Sequence, residues 1–117
     1  MKTIAVIGAG TMGNGIVQVF ASFGHSVTMV DMSEQALERG MAGIQKSLAR
    51  FVKKEKKTQE EVNQILARIS ISTDLEAAVS DVNLAVEAVF ENEEVKMDLF
   101  KHFNGCWAFK IGLIGNI

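Results

Sequence analysis

Gly8, Gly10 and Gly13 constrain this chain more than any other feature. They follow the apolar run Lys2-Thr-Ile-Ala-Val-Ile7 and lead into an amphipathic stretch, a pattern that reads as strand, glycine turn and helix. Each glycine has its own task. Gly8 makes the tight exit from the strand, because glycine takes positive φ without penalty. Gly10 leaves room for a diphosphate to approach the backbone where a Cβ would intrude, and Gly13 lets the helix lie close on the strand. The helix then turns its free N–H groups and the positive end of its dipole toward the phosphates. Gly8, Ala9, Gly10, Thr11, Met12 and Gly13 thus form a candidate dinucleotide-binding turn.

A single G-x-G-x-x-G is a weak signal, so its context carries the weight. Ile16, Val19, Phe20 and Phe23 recur at i, i+3, i+4 and i+7, so the segment reads as a helix. Gly24 ends that helix, and Ser26-Val-Thr-Met-Val-Asp31 reads as a second strand closing on an acid. Asp31 lies 18 residues past Gly13, where a carboxylate accepts the hydroxyls of an adenosine ribose. That carboxylate would repel a 2′-phosphate, and Met32 and Ser33 follow in place of an arginine, so NAD is expected over NADP. The bland alternative is that Asp31 only caps a strand end and the glycines only turn.

The bulk numbers close off other classes. A chain of 117 residues with 12 basic and 14 acidic side chains gives no electrostatic reason to expect nucleic acid or a membrane surface. The lone Cys106 has no internal disulfide partner, which fits a reducing compartment. The first strand begins at once, leaving no room for a signal peptide, and no apolar run reaches membrane-spanning length. A cytoplasmic location is expected. No cluster suggests a metal site.

Past Asp31 the chain reads as helix. Ser33 is a candidate N-cap, and Leu37, Met41, Ile44, Leu48 and Phe51 make one apolar stripe ending in Lys53-Lys-Glu-Lys-Lys57. Thr58 and Glu61 form a capping box for a second helix with the stripe Val62, Ile65, Leu66 and Ile69. These two helices make an αα-hairpin inserted after the second strand, where a minimal crossover needs only one helix. Ile69-Ser-Ile-Ser72 alternates like a third strand, Thr73 to Glu76 reads as another capping box, and Val82 to Val89 reads as a buried fourth strand. A last helix is expected near Asn92, carrying Val95, Leu99 and Phe100 inward.

With these residues in place, the chain resembles the N-terminal half of the 3-hydroxyacyl-CoA dehydrogenases, in particular the 3-hydroxybutyryl-CoA dehydrogenases. The matching pieces are Ile4 to Gly13, Gly15-Ile16, Gln18, Val30-Asp31, Ser47-Leu48 with the lysines after it, Ile69 to Asp74, Val86-Glu-Ala-Val-Phe-Glu-Asn92 and Val95-Lys96. The resemblance implies a Rossmann-type doubly wound α/β fold, incomplete at about four parallel strands, with an NAD-binding domain over residues 1–101 and a divergent tail over 102–117. It implies NAD contacts at Gly8 to Gly13 and Asp31, and further ribose contacts at Glu91 and Lys96. It also implies coenzyme A contacts at Ser47 and Lys54; Lys53, Lys56 and Lys57 read as a solvated helix end. The implied substrate is a 3-hydroxyacyl-CoA, and family members are homo-oligomers.

The pattern breaks after Lys101. The family continues into a fifth strand, a Ser-Asn-Thr-Ser-Ser run, a catalytic His with its Glu, and a helical domain, none of which is found here. His25 sits in a turn and His102 at an expected helix end, so no catalytic residue is assigned. The expected activity is NAD-dependent oxidation of a 3-hydroxyacyl thioester in fatty-acid or butyrate-type metabolism, with cofactor binding but no turnover by this chain alone. The alternatives are a non-catalytic dinucleotide-binding module and a dehydrogenase of another substrate, the second disfavoured by the hairpin and the Glu87 to Asn92 segment. The tail suggests a frameshift or truncation, or else a substitute strand in which Phe109, Ile111, Leu113 and Ile117 alternate. An open sheet edge predicts poor solubility or self-association.

Overall fold

The computed structural model describes residues 2–80, 82–90, 95–103 and 106–113, the side chains of Thr11, Val89, Phe90 and all residues beyond position 94 excepted. The first apolar run forms β1 (Thr3–Ile7), the glycine turn opens α1 (Thr11–Ser22), and β2 (Ser26–Val30) returns parallel to β1 with Ile4 opposite Val27 and Val6 opposite Met29. The inserted hairpin is α2 (Glu34–Lys53) and α3 (Gln59–Ala67), followed by β3 (Ile69–Ser72), α4 (Leu75–Val79) and β4 (Leu84–Phe90). β3 pairs with β2 and β4 with β1, all parallel. These four strands are the expected Rossmann-type sheet, with the order reversing between β1 and β4 as a doubly wound fold requires.

Local chemistry places the helices. The Ser33 hydroxyl accepts the Ala36 N–H at 3.2 Å and starts α2. Thr58 and Glu61 close the expected capping box on α3, each side chain accepting the other's backbone N–H at 3.1 Å. Between these helices the chain reverses through Glu55, which takes φ +60. The α2 stripe packs as its spacing predicts: Leu37, Ile44 and Leu48 are buried, with Met41 and Phe51 against them. From the sheet, Ile4, Val6, Val27, Met29 and Val86 fill the same core. The Arg68 guanidinium donates to the Ala21 carbonyl at 2.9 Å, fastening the end of α1 to the start of β3.

Two sequence expectations are corrected, and the apolar period of α1 proves only partly buried. On α1 the inward face is Gly13, Val17 and Ala21, while Val19 is 53% and Phe23 77% exposed. Ile16 and Phe20 pack partly buried against the core beside these small residues, which let the helix approach the strands. α4 is capped by Asp74, which accepts the Ala77 N–H at 3.1 Å, and not by Thr73. The helix expected past Asn92 is instead β5 (Val95–Phe103), antiparallel to β6 (Cys106–Leu113). Val95, Met97 and Leu99 alternate with Lys96 and Asp98, a period of two. The dipeptide between the paired Phe103 and Cys106 is Asn-Gly, which favours two-residue hairpin loops.

β6 lies parallel to β4, with Val86 opposite Phe109 and Ala88 opposite Ile111, so a tail segment takes the place beside β4. Ile117, expected in that strand pattern, lies outside the described residues. Among the described residues, no helix is long and apolar enough to cross a membrane.

Candidate functional site

The site is built where β1 gives way to α1. Gly8 takes φ +107 and its N–H donates to the Val30 carbonyl at 2.6 Å, so the exit from β1 is pinned to the end of β2. A Cβ on Gly13 would fall on the Gly8 carbonyl oxygen; only glycine brings the first turn of α1 this close. At Gly10 the situation is reversed. A Cβ there would meet nothing within 4 Å, so the space over Gly10 is open.

Gly10 is the N-cap of α1 and offers no side-chain cap; the first turn carries no acid. The other described helices, α2, α3 and α4, are capped by Ser33, Thr58 and Asp74. The N–H groups that α1 turns toward the open space are therefore left for an anion from outside the chain, which fits the diphosphate of a dinucleotide. Thr11 and Met12 are the first two residues of this helix.

Asp31 follows β2 at the same edge of the sheet. One carboxylate oxygen accepts the Ala9 N–H and the other the Ser33 N–H, each at 3.0 Å. The acid thus joins the glycine turn to the start of α2. The half-buried carboxylate keeps further lone pairs for hydroxyl donors. The structure brings Gly8 to Gly13 and Asp31 together.

The remaining candidates lie elsewhere. Ser47 is half-buried on α2 and accepts from the Gln18 side-chain amide at 3.1 Å. Lys54 is exposed at the C-cap of α2, two helical turns further along. The Lys57 ammonium stands 5.7 Å from the centre of the Phe51 ring, a cation–π contact that gives one of the tip lysines a structural role. Glu91 lies outside the described residues. Lys96 sits on β5 opposite Gly112, on a strand and not on the expected helix.

His25 precedes β2, at the end of the strands opposite the glycine turn. Its Nδ1 accepts the Lys2 N–H at 3.2 Å and its ring meets Phe20 edge-on. His102 lies on β5, paired with Trp107. Among the described residues, no group of His, Cys, Asp and Glu could hold a metal ion.

Sequence reasoning missed Gly40. A Cβ there would lie 2.9 Å from the Ala9 carbonyl oxygen and 3.0 Å from the Met29 Cε, so Gly40 seats α2 against the glycine turn. A lone glycine inside a strongly periodic helix is the signal that could have found it, since it costs about 1 kcal/mol relative to alanine and is kept for packing.

Parallel strands reversing order at an open, uncapped glycine turn, with an acid at the end of the second strand, define a Rossmann-type dinucleotide-binding domain. Residues 3–111 match the sequence model of the family described as 3-hydroxyacyl-CoA dehydrogenase, NAD binding domain, and the chain belongs to that family. It is 42% identical over 109 residues to the mitochondrial hydroxyacyl-coenzyme A dehydrogenase of Sus scrofa, covering 89% of this chain and 35% of that protein. A probable 3-hydroxybutyryl-CoA dehydrogenase of Bacillus subtilis is 43% identical over 101 residues, with 86% and 35% covered. The crystal structure of (S)-3-hydroxybutyryl-CoA dehydrogenase from Ralstonia eutropha superposes with a TM-score of 0.75 at 42% identity, over 79% of this chain and 32% of that one. The chain spans about a third of the length of the curated relatives it matches.

Proposed function

We propose that this chain is the cofactor-binding part of a cytoplasmic 3-hydroxyacyl-CoA dehydrogenase, which oxidises a 3-hydroxyacyl thioester such as 3-hydroxybutyryl-CoA to the 3-oxo thioester in fatty-acid or butyrate-type metabolism. NAD, when bound, supplies the hydride acceptor. The N–H groups at the start of α1, those of Thr11 and Met12, hold the diphosphate, Gly8, Ala9, Gly10 and Gly13 shape the turn around it, and Asp31 accepts the ribose hydroxyls while disfavouring a 2′-phosphate. Glu91 and Lys96 add ribose contacts. Ser47 and Lys54 hold the nucleotide end of coenzyme A.

One observation carries the reading: α1, alone among the described helices, starts without a side-chain cap, and does so beneath the open space over Gly10. Titration of NADH into the purified chain tests it, with saturable binding expected and its absence contrary to it.

The alternative of a non-catalytic dinucleotide-binding module draws support from His25, whose imidazole is bonded at the end of the strands away from the turn. In both readings the chain alone binds cofactor without turnover. NADH oxidation dependent on acetoacetyl-CoA, catalysed by this chain by itself, would contradict that.

A further inference from the structure

Resting on the NAD reading above, we infer that Arg39 on α2 is a further cofactor-binding residue, whose guanidinium holds the diphosphate of the dinucleotide from the cleft between α1 and α2. Directly after Asp31 the chain has Met32 and Ser33 and no arginine. Packing brings one from further along. Because Gly40 lies against the Ala9 carbonyl and the Met29 side chain, the residue before it is drawn to the glycine turn. Arg39 lines a cleft of about 250 Å³ together with Ala9, Gly10, Asn14, Ala36 and Gly40.

The electrostatics of this cleft select an anion. The first turn of α1 contributes the positive end of its dipole and no acid. Asp31 directs its carboxylate oxygens to the N–H groups of Ala9 and Ser33. Glu34 and Glu38, on the same helix as Arg39, line a separate cleft with Ile71, Ser72 and Thr73. Among the described residues nothing forms a hydrogen bond or ion pair with the Arg39 side chain, which is exposed. A planar guanidinium presents paired donors that match phosphate oxygens, and the open space over Gly10 lets a diphosphate reach them.

The test measures binding of NADH, ADP-ribose, NADPH and adenosine to the wild-type chain and to Arg39→Ala, Arg39→Lys and Asp31→Ala. Arg39→Ala is expected to weaken NADH and ADP-ribose alike by about tenfold, the scale of a lost charge-assisted hydrogen bond, with adenosine and the melting temperature unchanged. Arg39→Lys is expected to restore part of that loss. A deficit confined to NADPH would overturn the assignment by moving the contact to a 2′-phosphate. Unchanged NADH affinity in Arg39→Ala, with Asp31→Ala weakened, would overturn the role of Arg39 alone. Failure of the wild-type chain to bind NADH would overturn both this inference and the reading on which it rests.

Discussion

The Asp31 carboxylate accepts the backbone N–H of Ala9 at 3.0 Å, so the acid that ends the second strand grips the glycine turn that ends the first. The acid proposed to meet a ribose thereby also fixes the shape of the glycine turn. Asp31→Ala is expected to weaken NADH binding by roughly tenfold or more, since charge-assisted hydrogen bonds are lost on both sides. Asp31→Asn, able to accept through a single oxygen, is expected to fall between. Calorimetric titration of the two variants checks the order.

Gly10 and Gly13 are expected to separate binding from folding. Gly10→Ala meets open space at an extended φ of −70, so its melting temperature is expected to stay near that of the wild type while NADH affinity falls. Gly13→Ala drives a methyl into the Gly8 carbonyl and is expected to cost about 1–3 kcal/mol of stability, as overpacking does. Thermal unfolding of both variants, read beside NADH titration, tests the contrast.

The capping box at the hairpin tip carries a pH dependence. The Thr58 backbone N–H, then its hydroxyl, and then the charge of Lys57 favour ionised Glu61, so its carboxyl titrates below the ordinary glutamate range. A carboxyl lowered in this way adds stability above its unfolded pKa and loses it as pH falls through the folded one. The difference in unfolding free energy between wild type and Glu61→Ala is therefore expected to shrink in acid. Thr58→Ala, which removes the cap itself, is expected to cost about 1 kcal/mol at neutral pH.

Ser47, a proposed coenzyme A contact, accepts the Gln18 side-chain amide and so also ties α2 to α1. Ser47→Ala is expected to weaken coenzyme A binding severalfold while leaving NADH affinity within twofold. Equal losses for both ligands would instead mark a helix-packing defect.

The parts of this fold that follow short-range rules are legible in the amino-acid sequence itself. The glycine turn, Asp31, the Ser33 cap, the Thr58–Glu61 box and the stripe from Leu37 to Phe51 each follow from local chemistry or from a helical period over many residues. The α1 face is not legible from its largest apolar residues. Phe23 and Val19 suit a helix stripe but are exposed, while the approach of Gly13 to Gly8 buries Val17 and Ala21 and leaves Ile16 and Phe20 packed at their flank. Between Val95 and Phe103 the apolar residues fit both periods, and strand pairing with Cys106–Leu113, far along the chain from β4, decides the outcome. The place of Arg39 beside Gly10 depends on Gly40 seating one helix on another, a relationship that spacing along the chain does not carry.

Binding of the NAD diphosphate at the open turn over Gly10 is the proposal on which the other site assignments depend. Its most direct test is calorimetric titration of NADH into the purified 117-residue chain and into Gly10→Ala, at matched folded fraction. Saturable one-to-one binding by the wild type, lost or strongly weakened in the variant, is the predicted result. No saturable binding by the wild type, or equal affinity in the variant, would contradict it.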